Sequence, residues 1–207
     1  MWPHMEDVLE VYTQPYDPLR PVICLDETSR QLIEERHISV KEVKHVDYEY
    51  RRCGVVNLFM MFEPLAVKRF VKVTDTRTRV DFAYCIKELV DIHYPHAEKI
   101  VLVMDNLNTH SSASLYQAFP PKEARRLAVK LEIHHTPKHA SWLNMAEIEI
   151  SVLARQCLAG HSVSADDMRQ KVLAWQFRRN SSCCSVDWQF STADARIKLK
   201  KLYPVLS

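Results

Sequence analysis

Two short runs of consecutive apolar residues along the chain each end in an aspartate. The first covers residues 22–25 and is followed by Asp26, and the second covers residues 100–104 and is followed by Asp105. Apolar runs of this length, without alternation, are typical of central strands that are covered on both faces. The pattern therefore predicts two buried strands, each with a carboxylate at its end.

The segment between these runs predicts an antiparallel hairpin and a helix. Residues 55–62 and 67–73 have the composition of strands, and Glu63, Pro64 and Leu65 between them suit a tight reversal. An earlier alternating segment around Tyr48 predicts a further strand, with a turn at Cys53 and Gly54. Phe82, Ile86, Leu89 and Val90 then recur with a helical period that ends before Pro95.

The remaining pattern alternates helices with one more strand. Helices are predicted near residues 111–119, 122–130, 143–158, 164–179 and 192–202, with a strand near 131–134. Three strands, a helix, a strand, helices, a strand and a helix is the element order of the ribonuclease H-like fold. We therefore expect an α/β protein with a mixed five-stranded sheet flanked by helices and a C-terminal helical extension.

Composition sets the domain organisation and leaves the function open. A chain of 207 residues suits one globular domain. Residues 1–21 carry four prolines and only a short helical signal, so they predict a linker remnant before a main domain at 22–160 and its helical extension at 161–207. A net charge of +2 is too small to indicate a polyanionic partner by itself.

No apolar run is long enough for a membrane span and the N-terminus lacks the pattern of a signal peptide, so we expect a cytoplasmic protein without membrane contact. The six cysteines show no CxxC spacing, which favours reduced thiols in the core over disulfides or a structural zinc site.

Carboxylates at neighbouring strand ends suit phosphodiester chemistry. That chemistry uses two divalent ions about 3.5–4 Å apart, held by hard oxygen ligands from different elements. A third ligand is expected on the helix at 143–158, where Glu147 and Glu149 face about 200° apart at 100° per residue. With Leu143 at zero, Glu147 lies near about 40°, inside the apolar stripe, and Glu149 near about 240°, outside it. This geometry favours Glu147.

A structural explanation competes with the metal site. A buried carboxylate is costly unless it is paired or bound to metal. Glu147 could therefore pair with a buried Arg or Lys, and Asp26 and Asp105 could be caps or turn residues. We favour the metal site because the three acids also fit the strand order.

Two stretches, VLVMDNLNTH at residues 101–110 and TPKHASWLNMAE at 136–147, closely resemble the DDE transposases of bacterial insertion sequences in the mariner superfamily. The resemblance runs from about residue 22 to 204 and includes CLDET at 24–28, YEYRR at 48–52, NLFM at 57–60 and TADARIKLK at 192–200. It implies that Asp26, Asp105 and Glu147 hold Mg²⁺ or Mn²⁺, with two ions expected.

By this resemblance, the enzyme cleaves DNA at the ends of an insertion sequence and transfers the freed 3′ hydroxyl to target DNA. The implied partner is DNA, both element ends and target, with a homodimer as a candidate assembly and no small-molecule cofactor. Members of the family carry a helix-turn-helix region ahead of the catalytic domain. Only about twenty residues precede the first strand here, so we expect a truncated chain with poorly specific nicking.

Residues beside the second and third acids are candidates for orienting the carboxylates or contacting DNA. They are Asn106, Asn108, His110, Lys138, His139, Trp142 and Asn144. The two histidines could equally be ordinary loop residues, Trp142 could be a hydrophobic anchor, and Asn144 or Ser141 could be a helix N-cap.

Two other functions remain open on the sequence. One is a non-catalytic transposase remnant that binds DNA or another protein. The other, which we rank lower, is a ribonuclease or Holliday-junction nuclease with the same fold.

Overall fold

The structure is a computed structural model that describes residues 2–37, 48–105, 111–138 and 140–198. Its elements, in chain order, are α1 (Trp2–Val11), β1 (Val22–His37), β2 (Tyr48–Glu63), β3 (Lys68–Thr74), α2 (Arg79–Glu88) continued by a π-helical turn (Leu89–His93), β4 (Ile100–Met104), α3 (Ser112–Ala118), α4 (Pro121–Ala128), β5 (Leu131–His135), a 3-10 turn (Ser141–Leu143), α5 (Met145–Gln156), α6 (Ala165–Ser181) and α7 (Thr192–Lys198).

The five strands form one mixed sheet in the order β3-β2-β1-β4-β5. β1 pairs antiparallel with β2, and β2 with β3, whereas β4 runs parallel to both β1 and β5. This is the mixed, helix-flanked sheet that the element order predicts, so the expected fold class is confirmed.

Alternate residues of each strand feed two separate cores, one on each face of the sheet. Val22 and Cys24 of β1 and Val103 of β4 pack with apolar residues of α1, α5 and α6. Ile23 and Leu102, between them, pack with residues of α2, α3 and α4. Even-numbered residues of β1 and odd-numbered residues of β4 therefore face the α5 side of the sheet.

The helix at the N-terminus belongs to the first core. Residues 1–21 were predicted to be a linker with a short helical signal, and that signal corresponds to α1, whose residues Met5, Val8, Leu9 and Val11 are all buried. The short helix α1 is stabilised by its packing against the sheet rather than by intrinsic helix propensity.

The predicted turn at Cys53 and Gly54 is wrong, because β2 is a single strand through these residues. Between the pairs Gln31–Val55 and Ile33–Arg52, β1 advances by two residues and β2 by three, which defines a β-bulge. Gly54 has a φ of 111°, which glycine adopts without strain. The glycine thus bends the strand instead of reversing it.

β1 and β2 extend well beyond their other partners in the sheet. β4 pairs with β1 only at residues 22–24, and β3 pairs with β2 only at 57–63. Residues 30–37 and 48–56 therefore form a two-stranded extension, here called the distal ribbon. The connection between α5 and α6 contacts it, because Ile33 N donates to Ser162 O at 2.9 Å and Arg30 donates to Leu158 O at 2.9 Å.

All six cysteines are free, as the sequence predicts, but only Cys24 and Cys85 are buried in the core, and Cys183 is exposed. Across the described ranges, the structure contains no helix of the length and apolarity that a membrane crossing needs.

Candidate active site

Asp26 lies inside β1 rather than at its end, which corrects the expectation from the apolar run. β1 continues to His37, and what stops near Asp26 is the pairing with β4, whose last register pair is Cys24 with Val103. The strand continues because β2 still pairs with it on the other side. Asp26 therefore lies where β1 and β4 diverge, a point at which an open α/β sheet forms a crevice.

Asp105 follows the last residue of β4 directly and is half-buried. Because odd-numbered residues of β4 and even-numbered residues of β1 face the same core, the alternation directs Asp105 and Asp26 to the same face of the sheet. That face is the one that α5 covers.

Glu147 is the third residue of α5 and is half-buried. The helix begins after the N-cap Asn144, whose side chain accepts a hydrogen bond from Ala146 N at 3.1 Å. A carboxylate in the first turn is also stabilised by the helix dipole. The start of α5 therefore places Glu147 on the face of the sheet that holds the two aspartates.

The electrostatics show that the three acids are close enough to influence one another. The pKa of Asp26 is raised to about 7, mainly by burial and further by the charges of Asp105, Glu147 and Glu27, although a hydrogen bond from Glu27 N lowers it. That bond is 2.8 Å long and ends on Oδ1 of Asp26. Three segments that are far apart in sequence thus bring acidic side chains near one another in a partly buried region.

The donor set has the chemistry of a site for a hard divalent ion, because it offers carboxylate oxygens and its charges destabilise one another without a cation. Across residues 2–37, 48–105, 111–138 and 140–198, no three acidic, histidine or cysteine side chains are near enough to enclose an ion as they stand. Binding an ion at the three acids would require them to draw closer together.

Glu149 contradicts the helical-wheel argument, which placed it outside the buried stripe. Its side chain is fully buried and forms a two-pronged ion pair with Arg69 of β3, at 2.6 and 2.8 Å. Arg179 of α6 adds a third contact at 3.0 Å. The predicted stripe included Leu143, which belongs to the 3-10 turn, and left out Met145. The residues of α5 that are buried are Met145, Ala146, Glu149 and Leu153, so the buried face of the helix lies on the side of Glu149.

The buried arginine–glutamate pair is therefore made by Glu149, not by Glu147 as the competing explanation supposed. Arg69 also donates to the carbonyls of Val67 and Cys184, and Asn180 of α6 bonds the backbone N and O of Arg69. These bonds satisfy the charged groups and fix α5 and α6 against the sheet.

The candidates beside the acids divide into three groups. Asn106, Asn108, His110 and His139 lie outside the described residues. Lys138 is exposed, and Trp142 is partly exposed with its ring edge-on to Phe190 at 5.1 Å. Asn144 is buried and caps α5, as one of the alternatives proposed for it.

Tyr12, at the end of α1, was not identified from the sequence. Its hydroxyl donates to Leu143 O at 2.8 Å and lies 3.4 Å from the sulfur of Cys24. Burial raises the pKa of Tyr12 well above its usual value, so the side chain stays neutral. A polar aromatic residue next to a proline-rich segment gives no sequence signal for a contact 131 residues away.

Several solved structures share this fold. The Mos1 mariner paired-end complexes with Mn and with Mg match with TM-scores of 0.57 and 0.58, and the Mos1 strand transfer complex with 0.58. Each is 10% identical in sequence; the matches cover 88%, 87% and 88% of this chain and 57%, 57% and 56% of the Mos1 chains. The chain thus spans a little over half the length of these proteins.

Among curated protein sequences, none matches the chain significantly. The family model described as DDE superfamily endonuclease matches residues 21–169, which include β1, β4, α5 and all three acids. Because that match covers most of the chain, the protein belongs to the DDE superfamily endonuclease family.

Proposed function

We propose that this chain is the catalytic domain of a transposase that cleaves DNA and transfers the cut strand for an insertion sequence, with Asp26, Asp105 and Glu147 as the ligands of two divalent ions. The proposal is supported by the position of these acids on one face of the sheet, where burial and the charges of Asp105 and Glu147 raise the pKa of Asp26. The likeness to Mos1 complexes formed with Mn, with Mg and in strand transfer agrees with Mg²⁺ or Mn²⁺ and with a DNA substrate.

In the proposed reaction, the metal ions would supply the chemistry and the three acids would hold the ions. Two bound ions would supply an activated water or 3′ hydroxyl and stabilise charge on the attacking and leaving oxygens. The Glu27 N–H donates to Oδ1 of Asp26 and so restrains this carboxylate. Asp105 approaches from the neighbouring strand and Glu147 from the helix above, which gives ligands from three directions.

A direct test uses cleavage of supercoiled plasmid with Mg²⁺ or Mn²⁺ and joining of a 3′ hydroxyl oligonucleotide to that plasmid. Asp105→Asn should abolish both products, because it removes a ligand charge with little change in shape. Asp166→Asn is the matched control, since Asp166 is an exposed carboxylate of α6 whose contact is Arg169. That variant should behave as wild type.

Equal cleavage by wild type and Asp105→Asn would overturn the proposal, as would cleavage that persists in EDTA. Binding of DNA without any metal-dependent cleavage would instead identify a non-catalytic remnant. Preferential cleavage of RNA–DNA hybrids or branched junctions would identify a nuclease of the same fold.

A further inference from the structure

Asn144 makes two hydrogen bonds that link the start of α5 to β1. Its side chain is 1% exposed. Oδ1 accepts from Ala146 N at 3.1 Å, and Nδ2 donates to Leu25 O at 2.8 Å. Leu25 immediately precedes Asp26, and Asn144 lies three residues before Glu147. One amide group therefore connects the backbones that carry two of the three acids.

The Leu25 carbonyl has a particular place in the sheet. Val101 N donates to Pro21 O, so the alternation of a parallel ladder directs the carbonyls of Pro21, Ile23 and Leu25 toward β4. The register between the two strands ends at Cys24 with Val103. Asn144 thus inserts its amide at the point where β1 and β4 separate, beside the crevice that Asp26 and Asp105 border.

Two further contacts hold α5 in place, one just before the helix and one after Glu147. Glu149 is bound to Arg69 of β3, and the Tyr12 hydroxyl binds the carbonyl of Leu143 just before the helix. Glu147 therefore lies between two buried polar contacts. Of these three contacts, the Asn144 contact is the one that reaches the backbone of β1 directly beside an aspartate, so it fixes the start of the helix relative to Asp26.

We propose that Asn144 is a positioning residue, whose amide sets the spacing of Glu147 from Asp26 and Asp105 and thereby determines the affinity for divalent ions. This inference rests on the proposed function. Groups that hold metal ligands in place typically change metal affinity by about 10–100-fold when they are removed. The helix cap alone has no such effect, because it acts on the stability of the helix.

Two substitutions separate the cap from the link to β1. Asn144→Ser keeps a good N-cap oxygen, but its side chain is too short to reach the Leu25 carbonyl. Asn144→Ala removes both bonds. Gln176→Ala is the matched control: Gln176 accepts from Val71 N at 2.8 Å, so it also bridges a helix and a strand, but between α6 and β3.

The measurement is Mn²⁺ affinity, by calorimetry and by the electron paramagnetic resonance signal of bound Mn²⁺, on protein shown to be folded by circular dichroism. Asn144→Ser should bind Mn²⁺ about 10-fold or more weakly than wild type, with an altered signal, while Gln176→Ala keeps wild-type affinity. Asn144→Ala should be weakened as much as Asn144→Ser and should also melt at a lower temperature.

Affinity of Asn144→Ser within twofold of wild type would overturn the positioning role and leave the proposed function intact. An equal loss in Gln176→Ala would also overturn it, because general loosening would then explain the effect. Absence of Mn²⁺ binding by the wild type would remove the metal site itself, and the positioning role with it.

Discussion

Replacing Asp26 with asparagine should make the metal-free protein more stable at alkaline pH, although it removes a proposed ligand. The ordinary pKa of the aspartate is 3.8 and burial raises it to about 7 in the folded protein. Between these values the unfolded chain has released the proton and the folded protein still holds it. The folded state therefore loses stability as pH rises from about 4 to about 7, and the loss is complete above pH 7.

The size of the effect follows from the shift. A difference of about three pH units corresponds to about 4 kcal/mol, at about 1.36 kcal/mol per unit, which is an upper bound because the half-buried side chain keeps some contact with water. Asparagine has no such ionisation and retains an oxygen for the Glu27 N–H. The variant should therefore exceed wild type by up to about 4 kcal/mol at pH 8 and by little at pH 4.

Urea denaturation of both proteins from pH 4 to 8, in EDTA, measures this difference and cancels the titration of the groups that do not interact with Asp26. Asp166→Asn is the control and should match wild type at every pH. Adding Mg²⁺ at pH 8 should narrow the gap, because the ion stabilises only the protein that retains the carboxylate. A gap that is absent at pH 8, or that does not shrink toward pH 4, would refute the argument that Asp26 is destabilised by burial and neighbouring charge.

Three further changes test other parts of the structure. Arg69→Met should lower the free energy of unfolding by about 3–5 kcal/mol, since it leaves Glu149 buried without its main partner. Adding Glu149→Leu to this variant should recover most of the lost stability. Urea denaturation that showed equal stability of Arg69→Met and wild type would contradict this prediction. Gly54→Ala should lower the free energy of unfolding by about 1 kcal/mol or more, through backbone strain at positive φ. A steric clash would not contribute, since nothing lies within 4 Å of the new methyl group. A melting temperature at or above that of wild type would show that the bulge tolerates a side chain. In the native protein a thiol reagent should modify the exposed Cys183 quickly and Cys24 only after unfolding, since Cys24 is buried and its pKa is raised to about 12; mass spectrometry of the labelled peptides would detect the opposite order.

The sequence predicted the sheet because its signals were local. Uninterrupted apolar runs marked β1 and β4, and Ile100–Met104 is the strand expected from its pattern. The antiparallel β2 and β3 followed from composition and from the reversal at Pro64. The expectation of a mixed sheet then came from the order of the elements along the chain rather than from any single residue.

The parts that the sequence did not predict depend on tertiary contacts. The burial of Glu149 depends on Arg69, eighty residues earlier, and the bond of Asn144 depends on a carbonyl of β1. A helical wheel built from apolar residues cannot include a glutamate that is buried because an arginine pairs with it. The bulge at Gly54 and the packing of α1 likewise depend on partners that lie far along the chain.

The distal ribbon has a consequence for solubility. A two-stranded ribbon has open edges, whose free N–H and C=O groups can pair with another molecule and start aggregation. Here the Ile33 N–H donates to the Ser162 carbonyl, and the partner strand carries the exposed Arg51, which pairs with Glu34 at 3.2 Å, and the exposed Arg52. The connection between α5 and α6 therefore keeps the edge of the ribbon at Ile33 from pairing with the strand of another copy.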